Sequence, residues 1–263
     1  MRAKKSLGQN FLKSKNVISD IVTTAEINSE DTVLEIGPGK GILTEALLEK
    51  AGKVVAIEKD DQLFFLLKDK FKNEIEKGKL ELIHDDILKI NPLEYGLKQG
   101  QYLLVANIPY YLTGEIFSSF LESNYQPKRM VLMVQKEVAK RIVAQDKKES
   151  ILSISVKVYG EPKYIQKVAA RNFSPEPNVD SAILLIKNIS SKFKNRDEEK
   201  RFFEILKKGF AHKRKLLMSN LKLLPDINSE KIEKVFEECN LPQKNRPENL
   251  SVDDWLCLNG KIK

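Results

Sequence analysis

The tetrapeptide Asn-Ile-Pro-Tyr at 107–110 has the groups needed to hold the exocyclic amine of a flat base. It follows the apolar run 102–106, so it is expected at the end of a buried strand. Asn107 and the Ile108 carbonyl offer hydrogen-bond acceptors, Pro109 stiffens the turn, and Tyr110 can stack on the ring. Two acceptors on adenine N6 would free its lone pair, with catalysis resting mainly on positioning. Such a pocket admits only an unpaired or flipped base.

A glycine-rich loop, Glu35 to Gly41, follows an earlier apolar run and opens a helical pattern. Gly37 and Gly39 would let the backbone approach a ligand closely, and we predict that both contact a cofactor. A dinucleotide fingerprint would need glycine where Ile42 stands, so the spacing argues against NAD. The chain also lacks the Gly-Lys-Ser/Thr sequence of a phosphate-binding loop.

Acidic residues follow the next two predicted strands. Glu58 comes 21 residues after Gly37, where a carboxylate can accept hydrogen bonds from both ribose hydroxyls. Asp86 follows the third strand and is predicted to accept a hydrogen bond from the amino group of a bound adenine. Its neighbour Asp85 is the alternative, and the choice between them depends on register. Adenosine-binding features without a pyrophosphate clamp indicate S-adenosylmethionine as the cofactor.

A second segment that combines an aromatic residue with prolines lies at 172–181. Phe173 is predicted to close the other face of the target adenine, and the two prolines that follow would stiffen the loop. The competing interpretation is an ordinary proline-rich turn.

The positive charge of the chain is concentrated in one segment. The net charge is +8, and residues 187–222 hold 12 Lys/Arg against 4 Asp/Glu, while the rest of the chain is neutral. This imbalance favours a polyanionic partner over a merely solubilising surface. The predicted phosphate contacts, on an apolar-periodic helix, are Lys207, Lys208, Lys213, Arg214 and Lys215.

Short apolar runs alternate with helical patterns up to about residue 144, which predicts a parallel sheet covered on both faces. Strands are expected at 32–36, 54–58, 80–84, 103–106 and 130–134. Two later runs, 164–169 and 181–187, are expected to pair as antiparallel strands at the end of that sheet. Helices are expected at 16–25, 42–50, 62–73, 114–122, 136–144, 197–211, 213–223, 229–239 and 251–257. The polar stretch 188–191 marks a boundary between a first domain, 1–188, and a helical second domain, 189–263.

Composition narrows the class of protein. No apolar stretch approaches the ~20 residues of a membrane span, and no secretory leader is expected. The two cysteines, Cys239 and Cys257, match no metal spacing and are expected to be reduced thiols in a cytoplasmic protein. We therefore predict no metal site, and nothing in the sequence points to an obligate dimer.

Together these motifs closely resemble the KsgA-type ribosomal RNA adenine dimethyltransferases over nearly the whole chain. The segments that carry the resemblance are 6–12, 35–41, Glu58, Asp86, 107–110, 135–139, 173–181 and 246–251. The resemblance implies an α/β fold, with a seven-stranded Rossmann-like S-adenosylmethionine-dependent methyltransferase domain and a small all-helical C-terminal domain. It also implies that residues 1–15 contact cofactor or RNA, with Asn10 and Leu12 touching S-adenosylmethionine.

The substrate implied by this resemblance is a pair of adjacent adenosines in the 3′-terminal hairpin loop of 16S rRNA. Each would be dimethylated at N6 within an assembling 30S subunit by a monomeric enzyme. Two alternatives remain. One is the Erm type, which methylates one adenosine of 23S rRNA, and segments 135–139 and 213–221 favour the KsgA type over it. The other is a non-catalytic assembly factor, which the intact loops at 37–41 and 107–110 disfavour.

Overall fold

A computed structural model describes residues 4, 7–212, 214–225 and 228–262. Its strands are β1 (Phe11–Leu12), β2 (Thr32–Ile36), β3 (Lys53–Glu58), β4 (Leu80–His84), β5 (Tyr102–Asn107), β6 (Arg129–Gln135), β7 (Glu161–Val168), β8 (Phe173–Ser174) and β9 (Ser181–Lys187). Its helices are α1 (Lys15–Ala25), α2 (Ile42–Lys50), α3 (Asp61–Lys70), α4 (Lys72–Glu76), α5 (Thr113–Leu121), α6 (Lys136–Val143), α7 (Ile151–Lys157), α8 (Arg196–Gly209), α9 (Leu217–Leu221), α10 (Ser229–Glu238) and α11 (Val252–Lys261).

The central feature is a seven-stranded sheet in the order β4-β3-β2-β5-β6-β9-β7. Strands β2 to β6 run parallel, while β9 is antiparallel to both β6 and β7. The central strands are almost wholly buried. Their continuous apolar runs predicted this, because such runs are typical of a sheet with both faces covered. The α/β fold class and the seven strands predicted from the sequence are confirmed.

The chain divides into two compact units. The first contains residues up to Ala139 and Gly160–Ser190, and the second contains Lys140–Tyr159 and Ser191–Lys263. The sequence placed 140–159 in the first domain, so here the structure differs. Helix α7 lies in this excursion and was not predicted, because Ile154, Val156 and Val158 alternate with polar residues as in a strand. A capping box between Ser150 and Ser153 starts the helix instead.

All regular secondary structure in the described part of the second unit is helical. Trp255 of α11 is fully buried and stacks on Phe210, with ring centroids 5.5 Å apart. Gly209 permits this contact, since a β carbon there would lie 2.4 Å from the Trp255 ring. No helix among the described residues of either unit has the length and apolar character needed to cross a bilayer.

Two expectations about this unit are wrong. Cys239 and Cys257 form a disulfide, with Cα atoms 5.9 Å apart, and are not free thiols. Cys239 directly follows α10 and Cys257 lies on α11, so tertiary packing that the sequence could not show brings them together. The helix expected at 213–223 is shorter, because α9 begins only at Leu217 and Leu216 before it is extended.

Candidate active site

One cavity lies at the carboxyl ends of the parallel strands, within the first unit. It encloses about 1090 Å³ including its open mouth. The lining comes from residues 7–12, 35–40, 42–43, 57–59, Leu63, 85–87 and 107–112. Every catalytic or cofactor-contacting residue predicted from the sequence lines this cavity, with the exception of Phe173. Such a position, at the strand ends of an open α/β sheet, is where ligands of this architecture bind.

The glycine loop leaves its backbone accessible to the cavity. Gly37 has φ +64°, and a β carbon built on it would meet nothing within 4 Å. Gly39 has φ +61°, and a β carbon there would lie 3.1 Å from the Phe11 ring. Glycine is therefore needed at both positions for backbone conformation, and at Gly39 also for close packing.

Glu58 is buried at the end of β3 and holds the glycine loop. Its Oε2 accepts the Gly39 N–H at 3.1 Å, and its Oε1 accepts the Asp60 N–H at 2.9 Å. Burial raises the pKa of Glu58, and these backbone hydrogen bonds oppose that rise. Each carboxylate oxygen has a second lone pair, so both can still accept from a ligand hydroxyl.

Asp86 is tied to a lysine at the mouth of the cavity. Lys59 Nζ lies 2.7 Å from its Oδ2, and its Oδ1 accepts the Leu88 N–H at 3.2 Å. Although burial alone would raise the pKa of Asp86, the Lys59 hydrogen bond holds it below its ordinary value. Asp85 also lines the cavity and is exposed, so the structure leaves both carboxylates available to a ligand.

Glu35 is the most deeply buried acid of the cavity lining, with 1 % of its surface exposed. Its Oε2 has no hydrogen-bond partner in the part of the chain that the structure describes. Burial raises the pKa of Glu35 to about 8, so at neutral pH the side chain is mostly protonated. An orphaned buried oxygen of this kind fits a cavity that receives a polar ligand group.

The predicted base-binding tetrapeptide is held by two hydrogen bonds. Asn107 Nδ2 donates to the Asn10 carbonyl at 3.1 Å, an orientation that leaves Oδ1 as the acceptor for a ligand. The Tyr110 hydroxyl lies 2.8 Å from Ser181 Oγ, and burial raises the pKa of this phenol. Both side chains are therefore fixed before any ligand arrives.

Phe173 is not brought to the cavity wall. Its side chain is 2 % exposed and packs in the hydrophobic core with Leu12, the residue it faces across the β1–β8 pair. The sequence could not show this pairing, because two-residue strands have no periodic pattern. Phe173 is thus placed to anchor residues 11–12, and the expectation that it covers the target base is not supported.

Several residues at this site escaped the sequence analysis. Lys59 and Tyr111 line the cavity, and Tyr111 is 56 % exposed beside Gly8. Gln9 also lines it and bonds to Asp60, which caps α3. The one available signal was the sequence Asp60-Asp61 ahead of a helical pattern, which is typical of a helix N-cap.

The basic residues predicted to bind phosphate lie in the second unit. Lys207 and Lys208 are exposed in the last turn of α8, and Arg214 and Lys215 are exposed in the turn before α9. Lys213 lies outside the described residues. None of the four described cations makes an ion pair among the residues with assigned positions. They sit at a helix end and a turn, and not along one helix as the sequence predicted.

Comparison with known proteins agrees with this geometry. The family model described as ribosomal RNA adenine dimethylase matches residues 1–259. A relative from Dehalococcoides mccartyi named ribosomal RNA small subunit methyltransferase A is 39% identical over 98% of this chain and 88% of its own length. One of the same name from Clostridium botulinum is 41% identical over 98% of this chain and 93% of its own.

Two solved structures have the same fold. A dimethyladenosine transferase from Plasmodium falciparum superposes with a TM-score of 0.80 and 28% identity, covering 96% of this chain and 98% of that one. The 23S rRNA methyltransferase ErmE superposes with a TM-score of 0.76 and 24% identity, covering 96% of this chain and 99% of that one. At that identity the second likeness shows the fold alone.

Proposed function

Since the chain belongs to the ribosomal RNA adenine dimethylase family and is an rRNA adenine dimethyltransferase, we propose that it acts on the small ribosomal subunit. The substrate is two adjacent adenosines in the 3′-terminal hairpin loop of 16S rRNA, each dimethylated at N6. The names of relatives about 40% identical over nearly the full chain support the choice of subunit. The observation that carries the chemistry is the fixed carboxamide of Asn107 in the same cavity as the glycine loop.

The cavity fits S-adenosylmethionine, the cofactor of this family and fold. Glu58 receives the ribose hydroxyls, Asp86 the adenine amino group, and the open face of Gly37 the backbone of the cofactor's amino-acid part. Asn10, Leu12 and Gly39 complete the contacts. When bound, S-adenosylmethionine supplies a methyl group on a positively charged sulfur, which a neutral amine can attack.

The residues at 107–110 prepare the target amine. Asn107 Oδ1 and the Ile108 carbonyl accept hydrogen bonds from the two N6–H groups, which favours a pyramidal nitrogen with an available lone pair. The Tyr110 ring stacks on the base, and Pro109 keeps the turn rigid. No strong general base is required, because the amine becomes acidic once methylated and its proton passes to water.

The second unit binds RNA through its exposed cations. Lys207, Lys208, Arg214 and Lys215, together with Lys213, contact phosphates and give affinity with little sequence information. The base itself is selected by the pocket, and the hairpin by its fold and unpaired loop. We place the protein in the cytoplasm as a monomer that acts on the immature 30S subunit.

Methyl incorporation into purified subunits tests this function. The enzyme is incubated with labelled S-adenosylmethionine and either 30S or 50S subunits that lack the modification, followed by mass mapping of modified nucleosides. We expect N6,N6-dimethyladenosine at two adjacent positions of 16S rRNA, and far slower labelling with Asn107→Ala. Label confined to 23S rRNA would identify an Erm-type enzyme instead. Tight binding to 30S subunits without any label would indicate an assembly factor.

A further inference from the structure

Asp60 connects the cofactor cavity to the start of the chain. It is 3 % exposed, and both of its carboxylate oxygens are used. Oδ1 accepts the N–H groups of Gln62 and Leu63 at the start of α3, at 2.9 and 3.3 Å. Oδ2 accepts from Gln9 Nε2 at 3.0 Å and pairs with Lys4 Nζ at 2.9 Å.

The hydrogen bonds by which Asp60 caps α3 do not require its negative charge. Asparagine caps helices as well as aspartate does, through the same Oδ1. The negative charge therefore matters for the interactions of Oδ2, the oxygen that faces Lys4 and Gln9. Although burial would raise it, hydrogen bonds from these two side chains hold the pKa of Asp60 below its ordinary value. The carboxylate stays ionised at neutral pH.

Gln9, which Asp60 holds, belongs to a segment that forms one wall of the cavity. Residues 7–12, here called the N-terminal segment, all line it. The segment has two further attachments: the Asn10 carbonyl accepts from Asn107, and Phe11–Leu12 pair with Phe173–Ser174. Asp60 also donates its N–H to Glu58 Oε1 at 2.9 Å, so the same residue touches the carboxylate proposed to bind ribose.

We propose that Asp60 is a positioning residue that latches the N-terminal segment against the cavity through Gln9 and Lys4. The docked segment completes the cofactor site and keeps the Asn107 nitrogen on the Asn10 carbonyl, so that Oδ1 faces the target amine. The latching itself is a property of the free protein, while its effect on catalysis rests on the function proposed above.

Hydrogen–deuterium exchange of the free, full-length protein tests the latch without any activity assay. In Asp60→Asn the helix cap is retained and the charge is lost. We expect amides of residues 7–12 to exchange at least about tenfold faster than in the wild type, as for a lost hydrogen bond to a charged group. Amides at the start of α3 should be unchanged. Lys4→Gln alone should give a smaller increase in the exchange rate of these amides. Adding Lys4→Gln to Asp60→Asn should give no further increase.

The matched control is Asp61→Asn, which removes the same charge from the next residue. Its side chain is 75% exposed and pairs with His84. We expect it to leave the exchange of residues 7–12 unchanged. Raising the salt concentration should speed exchange of these residues in the wild type and hardly affect Asp60→Asn.

Kinetics then separate positioning from folding. Asp60→Asn should raise the KM for S-adenosylmethionine and also lower kcat, since both the cavity wall and Asn107 lose their anchor. Exchange of residues 7–12 at the wild-type rate in Asp60→Asn would overturn the latch. Equal acceleration of this exchange in Asp60→Asn and in the control Asp61→Asn would also overturn it. An inactive wild type with the expected exchange pattern would refute the proposed function and leave the latch standing.

Discussion

The two ends of the Asn107 amide have different partners, and this separates two substitutions. Asn107→Ala removes both the donor to Asn10 and the acceptor for N6. Asn107→Asp keeps an acceptor but turns an oxygen toward the Asn10 carbonyl, which disfavours docking of residues 7–12. We expect Asn107→Ala to lower kcat by about 10²–10³, as when one preorganised acceptor or donor is lost from a reacting centre. RNA affinity, measured by titration, should stay within error of the wild type for both variants.

The same measurements of kcat and RNA affinity can contradict the role proposed for Asn107. If Asn107→Ala turned over at the wild-type rate, N6 activation by this carboxamide would be excluded. If it lost RNA affinity in proportion to kcat, Asn107 would be a binding residue and not a catalytic one.

Glu35 gives a pH dependence of stability. Burial raises the pKa of Glu35 to about 8, well above that of a carboxyl in the unfolded chain. Between these two pKa values the native state therefore binds one proton that the unfolded state does not. The stability of the folded protein therefore falls as pH rises through this range, by roughly 3.5 kcal/mol between pH 5 and 8 for this group. We expect Glu35→Gln, which cannot ionise, to gain that much relative to the wild type over the same interval.

Denaturant unfolding of both proteins at several pH values measures the difference. Taking wild type minus variant removes the titration of all other groups. A constant difference from pH 5 to 8 would show that Glu35 ionises normally in the folded protein.

At the residue level, sequence reasoning located the chemistry but not its supports. Glu58 and Asn107 were found because each directly follows an apolar run that forms a central strand. Asp60 was missed because its partners, Lys4 and Gln9, are more than fifty residues away along the chain. Phe173 was misplaced for the same reason, since its burial depends on pairing with Leu12.

At the scale of secondary-structure elements, the turn before α9 holds neighbouring exposed cations, Arg214 and Lys215. Asn220 shapes this turn by donating to the carbonyls of Gly209 and His212, at 2.6 and 3.1 Å. We expect neutralising Lys213, Arg214 and Lys215 together to weaken RNA binding. The slope of log affinity against log salt should become shallower by about 2, for three phosphate contacts on unpaired RNA.

A control variant with the same change in charge tests whether position matters. Lys50, Lys77 and Lys98 are exposed in the first unit, and neutralising them removes three charges elsewhere. This variant should keep most of the salt dependence. Equal slopes in the two variants would mean that net charge, and not the turn before α9, sets RNA affinity.

Elements with a strong pattern were predictable and short ones were not. The central strands have continuous apolar runs, and their predicted limits agree with the structure within one or two residues. The late start of α9 was missed, because lysine and arginine, which favour helices, lead directly into the apolar pair Leu216-Leu217, whereas Leu216 is extended. Leu217 N–H bonds to the Asn245 carbonyl at 2.9 Å, a tertiary contact that fixes where α9 begins.

At the scale of the whole chain, the linker at 188–191 was visible as a polar stretch, and the longer segment of the second unit begins at Ser191. The excursion of 140–159 into that unit was invisible, because no composition change marks it. Glu149 and Lys157 are joined at 2.5 Å, and Glu149 N–H bonds to the Glu248 carbonyl at 2.8 Å. Contacts between residues far apart in the sequence, such as the one between Glu149 and Glu248, decide domain membership and leave no local signal in the sequence.

The monomeric state that we propose agrees with the protection of one edge of the sheet. β7 is an edge strand of the sheet, and a bare edge invites pairing with another chain. It has Pro162, exposed Lys163 and Lys167, and an irregular register between Tyr164 and Gln166. Proline, charge and a bulge each disfavour strand addition. We expect light scattering to give a monomer mass at every protein concentration tested.

Replacing both lysines should expose the edge. Lys163→Val with Lys167→Val removes two like charges that an incoming strand would meet, so we expect concentration-dependent association of this variant. Lys50→Val with Lys77→Val makes the same chemical change at two exposed positions outside the strands and should stay monomeric. A wild-type dimer would refute the proposed monomer. Association in both variants would show that added apolar surface, and not the β7 edge, drives it.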